Sequence, residues 1–499
     1  MRRPLSPCPG LGPCPIMTGI GGFVCTGPWR DFPWKGECVY PIQAVEKHYA
    51  WGSHDRLQRM FHLHESTEGQ GDTLAEMWFS GHTESPSPLT LPDGSLMPLT
   101  EAIRRNPMTM LGERDSRLFG PTLPYLFKII SARIPLSLQV HPLDFEARAG
   151  FNRENAQGVP DDDPRRSFHD SLAKNEMVVA LEPFQACVGF ATISTQLTLL
   201  RAVDHPLAEL MTQALTARTF HLGVPPARFA SADAMMPVSS LIWPDSRRRI
   251  FRAFHAAVTA QPEAARGMEE ALEAAAGRLR SKRAGAVLNH ALCAARAFPE
   301  DPAVLCLLML NPVDLEEGDS VYIPAGTPHA YIHGTAAEIM TNSDNVLRAG
   351  MTPKHRDIPN LLHSLDCQPS APIDPSSSMI ATLIMHNMVT YRPKINEYML
   401  VYGHVEEGGA TWPLLNRLQQ RYGDLIERLG PRHLMIPRRG PRIIVCTDGR
   451  IRCATADQSC VLDQGRALFI PSQDGRVDIT MPQDSENAGG SFLLASTPV

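Results

Sequence analysis

Between Tyr40 and Phe190 the apolar residues fall in short runs cut by proline and glycine, as in "YLFKIISARI", "LSLQVHP" and "MVVALEPFQACVGF". Runs of that length and spacing predict many short strands. Between them "NRENAQGVPDDDPRRSFHD" is polar and contains proline, so it reads as a loop, with Asp161, Asp162 and Asp163 a solvated turn. Near Ile193 the pattern changes. In "QPEAARGMEEALEAAAGRLRSKR" the residues Met268, Leu272, Ala275 and Leu279 recur every three or four positions, which predicts one face of a helix. The basic clusters "SRRRIF" and "RLRSKR" are read as solvated helix faces. Strands return with "LCLLMLNPVDLEEGDSVYIPAGTPHAYIHG" and again in "INEYMLVYGHV", "PRIIVCTDGRI" and "RALFIPS", while "LLNRLQQRYGDLIERLGPRHLMIPRRGPR" reads as a helix plus loop.

One strand breaks the apolar rule. In "LQVH", Gln139 and His141 are two apart and so share a face. That face is either exposed or bound to something.

Composition narrows the options. The 499 residues are 43% apolar, and no run approaches the ~20 apolar residues that span a bilayer, which implies a soluble chain and no membrane partner. With 47 basic against 53 acidic residues there is no overall field for nucleic acid, so an anionic ligand would be captured locally. Of the 11 cysteines, Cys8, Cys14, Cys25 and Cys38 crowd the start without a Cys-x-x-Cys pair, and the rest read as free thiols of a reducing cytosol. The proline-broken "MRRPLSPCPGLGPCPIMTGIGGFVCTG" lacks a signal-peptide core and reads as a disordered extension, with Met17 an alternative start. In "FHLHE", His62 and His64 would share a strand face at an exposed edge.

The segment "GDSVYIPAGTPH" has the spacing G-x5-P-x-G-x2-H of the second cupin motif, from Gly318 through Pro324 and Gly326 to His329. A turn, a buried strand and a tight corner would deliver His329 into a small barrel. A faded copy, "GRALFIPSQDGR", keeps Gly465 and Pro471 but has Gln473 and Arg476 where the first has glycine and histidine. The expected fold is mainly β with an α insertion: two cupin-like jelly-roll barrels plus an inserted helical domain. The expected boundaries are 1–38 for the extension, 39–192 and 303–365 for the two parts of the catalytic barrel, 193–302 for the helical domain and 366–499 for a degenerate C-terminal barrel.

A divalent ion in such a barrel needs three or four converging donors. His329, His141 and Gln139 are available, and Glu176 opens an apolar strand that has no other use for an acid. Such a set could leave one position for water or substrate. Asp344, Arg348 and Lys354 in "TNSDNVLRAGMTPKHRD" would lie near the mouth, where a guanidinium and an ammonium suit an oxygen-rich anion.

The segments "YPIQAVEKHYAWGS", "LAEMWFSGH", "LPYLFKIIS", "LSLQVHP", "KNEMVVALEPF", "IPAGTPHAY" and "SDNVLRAGMTPKHRDIPNLL", in this order, resemble the type I phosphomannose isomerase family from about Tyr40 to Leu365. The resemblance implies one zinc ion per chain on Gln139, His141, Glu176 and His329, and an essential arginine at Arg348. It also implies a sugar-phosphate pocket that includes Trp51, Lys128, Ser137, Lys174, Tyr331, Glu338 and Lys354. The implied reaction interconverts mannose 6-phosphate and fructose 6-phosphate through a cis-enediol, in a cytoplasmic monomer that supplies mannose for GDP-mannose synthesis and glycosylation. The base stays open among a zinc-bound water, Asp344, Glu338 and Lys354. Thr335 stands after Gly334 where the family usually has Gly-Asp. The stretch from Leu414 to Arg442 is foreign to the pattern, which predicts a perturbed C-terminal barrel. Two other readings compete: a metal-dependent cupin oxygenase, separable by metal preference, and a non-catalytic cupin that binds sugar phosphate or a protein partner, separable by binding without turnover.

Overall fold

His329 begins a 13-residue strand, His329–Thr341, around which the first sheet of this computed structural model is built. The structure describes residues 39–63, 73–217, 227–407, 411–423, 426–428, 436–483 and 489–498. The strand changes partners along its length. His329 lies opposite Val188 of Phe184–Phe190 and Gln139 of Leu138–Val140. Beyond Gly334, Glu338 lies opposite Lys128 of Tyr125–Ala132, and Met340 opposite Glu176 of Glu176–Ala180. At this change Gly334 has φ +121°, and a side chain there would run into the Pro183 carbonyl, so the position suits glycine. Thr335 turns its buried hydroxyl to Ser131 at 2.9 Å, which gives the departure from the family's Gly-Asp a local partner away from the ligands.

Leu347–Gly350 pairs with Leu138–Val140, Ser320–Ile323 with Glu176–Ala180, and Leu310–Leu315 with Phe184–Phe190; Glu76–Ser80 and then Val45–Lys47 extend the far side. Between Phe184–Phe190 and Leu310–Leu315 run the helices Ile193–Ala202, Pro206–Thr216, Asp245–Val258, Met268–Arg278 and Lys282–Ala297. Thr192 caps the first, its hydroxyl accepting from the Thr195 amide at 3.3 Å. In Met268–Arg278, Met268, Leu272 and Ala275 are buried, and Leu279 follows as the helix ends. These helices share one apolar core with Leu138, Val140 and Leu347, so they press on the back of the strand that carries Gln139. The basic cluster at 246–251 is less solvated than expected: Arg247 pairs with Asp366 at 2.7 Å, and Arg249 pairs with Asp245 at 3.0 Å while donating to the Leu215 carbonyl.

The second sheet runs Tyr40–Pro41, Ala467–Ile470, Arg442–Ala454, Gly490–Ser496, Met399–Val405, Met388–Pro393, Ile380–Met385 and Glu427–Arg428, with two more strands on Arg442–Ala454. Phe79, Phe127 and Ile339 of the first sheet share a buried core with Leu400, Ile443 and Phe469 of the second. The protein is thus mainly β with helices. Among the described residues neither sheet pairs edge to edge into a cylinder.

Where it is described, the foreign segment packs against the shared core and adds the strand Glu427–Arg428 to the second sheet, and one expectation, on His62, is corrected. The segment's helix Pro413–Tyr422 buries Leu414, Leu415 and Leu418 in the shared core, and Arg421 and Tyr422 bind Asp319 in the turn that leads to His329. His62 is not on a strand: it sits in the turn after helix Arg56–Met60 with φ +50°, because that segment continues a helix and not an extended run. His64, Met17 and the four early cysteines lie outside the described residues. Seven described cysteines are free, and no helix among the described residues is long and apolar enough to cross a membrane.

Candidate active site

The first sheet brings His141, Glu176 and His329 together, all fully buried, with one donor atom from each within 4.8 Å of the others. Glu176 lies between the imidazoles, Oε1 3.0 Å from His141 Nε2 and Oε2 3.1 Å from His329 Nε2. Both rings are held from behind. His141 Nδ1–H donates to the Asn345 carbonyl at 2.8 Å, and His329 Nδ1–H to the Thr327 carbonyl at 2.9 Å. That fixes the tautomer, so each Nε2 offers a lone pair toward the centre. His141 Nε2 has no hydrogen bond although it is buried. An orphaned buried nitrogen costs energy unless something else binds it, and two imidazoles with a carboxylate form a donor set for a borderline divalent ion. Gln139 comes in from its strand, Nε2 3.1 Å from His329 Nε2, while Ser137 donates to Gln139 Oε1 at 3.4 Å. Turning the amide over would present its oxygen instead.

The charges support this arrangement. Burial pushes the His141 imidazolium down to about 4 despite Glu176, so the ring is neutral and free to ligate. Burial alone would raise Glu176, but His141 and Lys174 reverse that and hold it well below the usual carboxylate range. With His141 neutral, the standing cation beside Glu176 is Lys174, at 3.1 Å.

A second layer adjoins the donors. Glu338 accepts from the Tyr331 hydroxyl at 2.6 Å and pairs with Lys128 at 3.1 Å. Tyr331 also reaches Glu176 at 3.4 Å, so it bridges the two carboxylates. Burial raises Glu338 against the pull of Lys128, whereas for Lys128 the neighbouring glutamates overcome burial and keep the ammonium charged. Arg348 lies opposite Gln139 in the neighbouring strand and is largely enclosed; its guanidinium has no ion pair among the described residues. Lys354 is exposed, with its ammonium 4.9 Å over the Tyr49 ring, which in turn stacks on Trp51 at 5.6 Å. Asp344 leads into the Arg348 strand, its amide donating to Asp170 at 3.0 Å. The site therefore contains the Arg348 guanidinium, three lysines and two carboxylates beside the donors, an arrangement suited to an anionic, oxygen-rich ligand.

Several contributing residues were not singled out from sequence. Glu76 and Trp78 sit beside Lys128, at 3.9 Å and 5.0 Å respectively, and His82 and Glu84 face Asp344. All four lie in or just after "LAEMWFSGH", where period 2 hinted at pairs on one face. Asn345 and Thr327 act through backbone carbonyls, which no side-chain pattern reveals.

The family model described as "Phosphomannose isomerase type I, catalytic domain" matches residues 39–193. Mannose-6-phosphate isomerase of Salmonella typhimurium is 34% identical over 328 residues, which is 66% of this chain and 74% of that one. The chain belongs to the type I phosphomannose isomerase family. The human mannose-6-phosphate isomerase is 28% identical over 67% of this chain and 75% of its own, and Arabidopsis thaliana mannose-6-phosphate isomerase 2 is 26% identical over 90% and 92%. A solved structure of mannose 6-phosphate isomerase described as holo and zinc bound superposes with a TM-score of 0.70 at 25% identity, covering 93% of this chain and all of the other. The family relationship thus reaches beyond the catalytic-domain match into the second sheet.

Proposed function

We propose that this chain is a zinc-dependent mannose-6-phosphate isomerase that interconverts mannose 6-phosphate and fructose 6-phosphate. The observation that carries the reading is the orphaned Nε2 of His141 beside His329 and Glu176, in a chain of this family. His141, Glu176 and His329, with Gln139 turned to present its oxygen, would hold the ion. When bound, it would supply Lewis-acid stabilisation of charge growing on the sugar oxygens.

The remaining work falls to the chain's own groups. Arg348 and Lys354 would hold the phosphate or the developing charge at the open end, with Trp51 and Tyr49 as a flat wall. Lys128, Lys174 and Ser137 would position the oxygens of the opened sugar nearer the donors. A base must remove the proton from C2 of the aldose and return it to C1, passing through a cis-enediol. Of the open choices, Asp344 fits best as the base. Burial alone would raise its carboxyl, but its neighbours His82, Glu84, Lys174 and His169 together outweigh that and hold it below the usual range, so it is ionised. Glu338, in contrast, is tied to Tyr331 and Lys128. We further infer a cupin-type jelly-roll arrangement for each sheet, the domain partition expected from sequence, and a monomer acting in the cytoplasm.

The test is conversion of mannose 6-phosphate by purified protein before chelation, after it, and with zinc restored. Loss with chelator and recovery with zinc is expected, with one zinc per chain by elemental analysis. Zinc-loaded protein without turnover would exclude the isomerase reading.

A further inference from the structure

The turn that follows strand Glu76–Ser80 brings two titratable side chains, His82 and Glu84, to within metal-binding distance of Asp344. His82 Nε2 lies 3.5 Å from Asp344 Oδ2, and it is the one basic side-chain nitrogen within 4.0 Å of that carboxylate among the described residues. The other ring nitrogen is committed: Nδ1 accepts from the Glu84 amide at 3.3 Å. An imidazole whose Nδ1 accepts carries its proton on Nε2, here the atom facing the carboxylate. The ring itself is wedged edge-on against Trp78, centroids 6.5 Å apart and planes at 81°, and its side chain is only 12% exposed. Packing and backbone thus both fix where that proton points.

Asp344 is anchored from its other side. Its amide donates to Asp170, which also accepts from Ser343 and Asn345, and the Asn345 carbonyl holds the ligand His141. The backbone of Asp344 is thereby tied to the donor cluster, while its carboxylate is steered by His82. Resting on the assignment of Asp344 as base, we propose that His82 is a positioning residue that orients the Asp344 carboxylate for proton abstraction and keeps it ready to accept.

The other charged groups around Asp344 do not replace His82. From the same turn, Glu84 shares a hydrogen bond with Asp344 and raises its own carboxyl, first through burial and then through that bond. Lys174 and His169 add weaker attraction from the segment before Glu176, and Tyr49, Arg348 and Lys354 face Asp344 across the mouth.

The experiment is a double-mutant cycle on zinc-loaded full chain, with His82→Phe, Asp344→Asn and the pair, monitored by kcat, KM, zinc content and melting temperature. His82→Phe is expected to lower kcat about 10–100-fold with smaller change in KM, the usual scale for losing a supporting partner of a reacting group. Its acidic limb in kcat/KM moves to higher pH, because the carboxylate loses the N–H that favours its ionised form. In the Asp344→Asn background the same change costs less than about twofold. His82→Gln, which keeps an N–H near the position of Nε2, restores most of kcat. An equal loss in both backgrounds, or an unmoved pH limb with Gln no better than Phe, overturns the role of His82. Full activity in Asp344→Asn overturns the base assignment and this proposal with it. Absence of turnover in the wild type is the separate failure of the isomerase reading.

Discussion

The segments 318–329 and 465–476 begin alike and end differently. Gly318 and Gly465 both adopt the left-handed region, with φ +78° and +80°, and each leads into a four-residue buried strand followed by proline. The corners then diverge. In the first, Gly326 takes φ +83° and its amide donates to the His141 carbonyl at 2.8 Å, so the corner is stapled to the opposite ligand segment. His329 emerges fully buried. In the second, Ser472–Asp474 curl into a 3-10 turn, Gly475 supplies the left-handed residue two places later than Gly326 does, and Arg476 leaves half exposed against Asp478 at 2.7 Å. Turn, strand and proline are therefore scaffolding that both sheets use. Chemistry enters only where the corner is tied to a second donor segment.

The strongest way to break this comparison is to delete the end residue of each copy. His329→Ala removes a donor and leaves Glu176 and Gln139 facing a hole. Isomerase activity should fall at least ~1,000-fold, equivalent to about 4 kcal/mol of transition-state stabilisation, with zinc content falling in parallel. Arg476→Ala removes an exposed ion pair worth about 0–1 kcal/mol and should leave kcat within about twofold. Turnover and zinc analysis on both variants decide it; a large kcat loss in Arg476→Ala would mean the second copy takes part in catalysis.

The starting glycines sharpen it further, through stability and not activity. A Cβ on Gly318 would meet Leu414 side-chain atoms at 2.8–3.1 Å, which can swing aside, whereas one on Gly465 would meet the Phe61 Cα at 2.8 Å and the Met60 carbonyl at 2.9 Å. Both pay the left-handed cost of about 1–2 kcal/mol, and only the second must also push backbone. Gly465→Ala should cost about 3–4 kcal/mol in urea unfolding and Gly318→Ala about half that. The reverse order would show that helix Pro413–Tyr422 is held more rigidly than the turn at Phe61.

Much of the candidate site was legible because its side chains sit at strand positions where polar groups are out of place. Gln139 and His141 broke an apolar strand, Glu176 opened one, and His329 closed a strictly spaced motif; the structure brings all four together. The helical face through Met268, Leu272 and Ala275 was equally plain, since burial repeats with the helix period. What the sequence hid are the contacts between distant segments. Nothing local announces that Leu414 covers Gly318 or that Asp319 receives Arg421 and Tyr422, so the helix looked foreign when it is part of the shared core. Likewise His82 and Asp344 are 262 positions apart, and only the sheet brings them together.

The smallest effect concerns a carboxylate that the second corner has and the first lacks. Asp474 stands where the first copy has Thr327. Its Oδ2 is buried without a hydrogen bond, and no cation lies within ion-pair distance among the described residues. The nearby Arg442 is spent on the carbonyls of Pro471, Pro437 and Gly475. Burial accordingly pushes the Asp474 carboxyl up to about 6, only partly opposed by Arg442. Between about pH 4 and pH 6 the folded chain keeps a proton that the unfolded chain has released, so the folded state binds more protons and stability falls as pH rises through that window. Above it the penalty is constant. The full shift would be worth about 3 kcal/mol, and solvent reaching a half-buried group reduces it to about 1–2 kcal/mol. Asp474→Asn cannot release a proton there, so its stability relative to wild type should rise by about two thirds of that amount from pH 4.5 to pH 7 and then level off. Urea unfolding of both proteins across the range measures the difference, in which the titration of the metal cluster cancels. Parallel curves would mean that Asp474 is solvated in the folded protein, and that the second corner is as free of buried charge as the first.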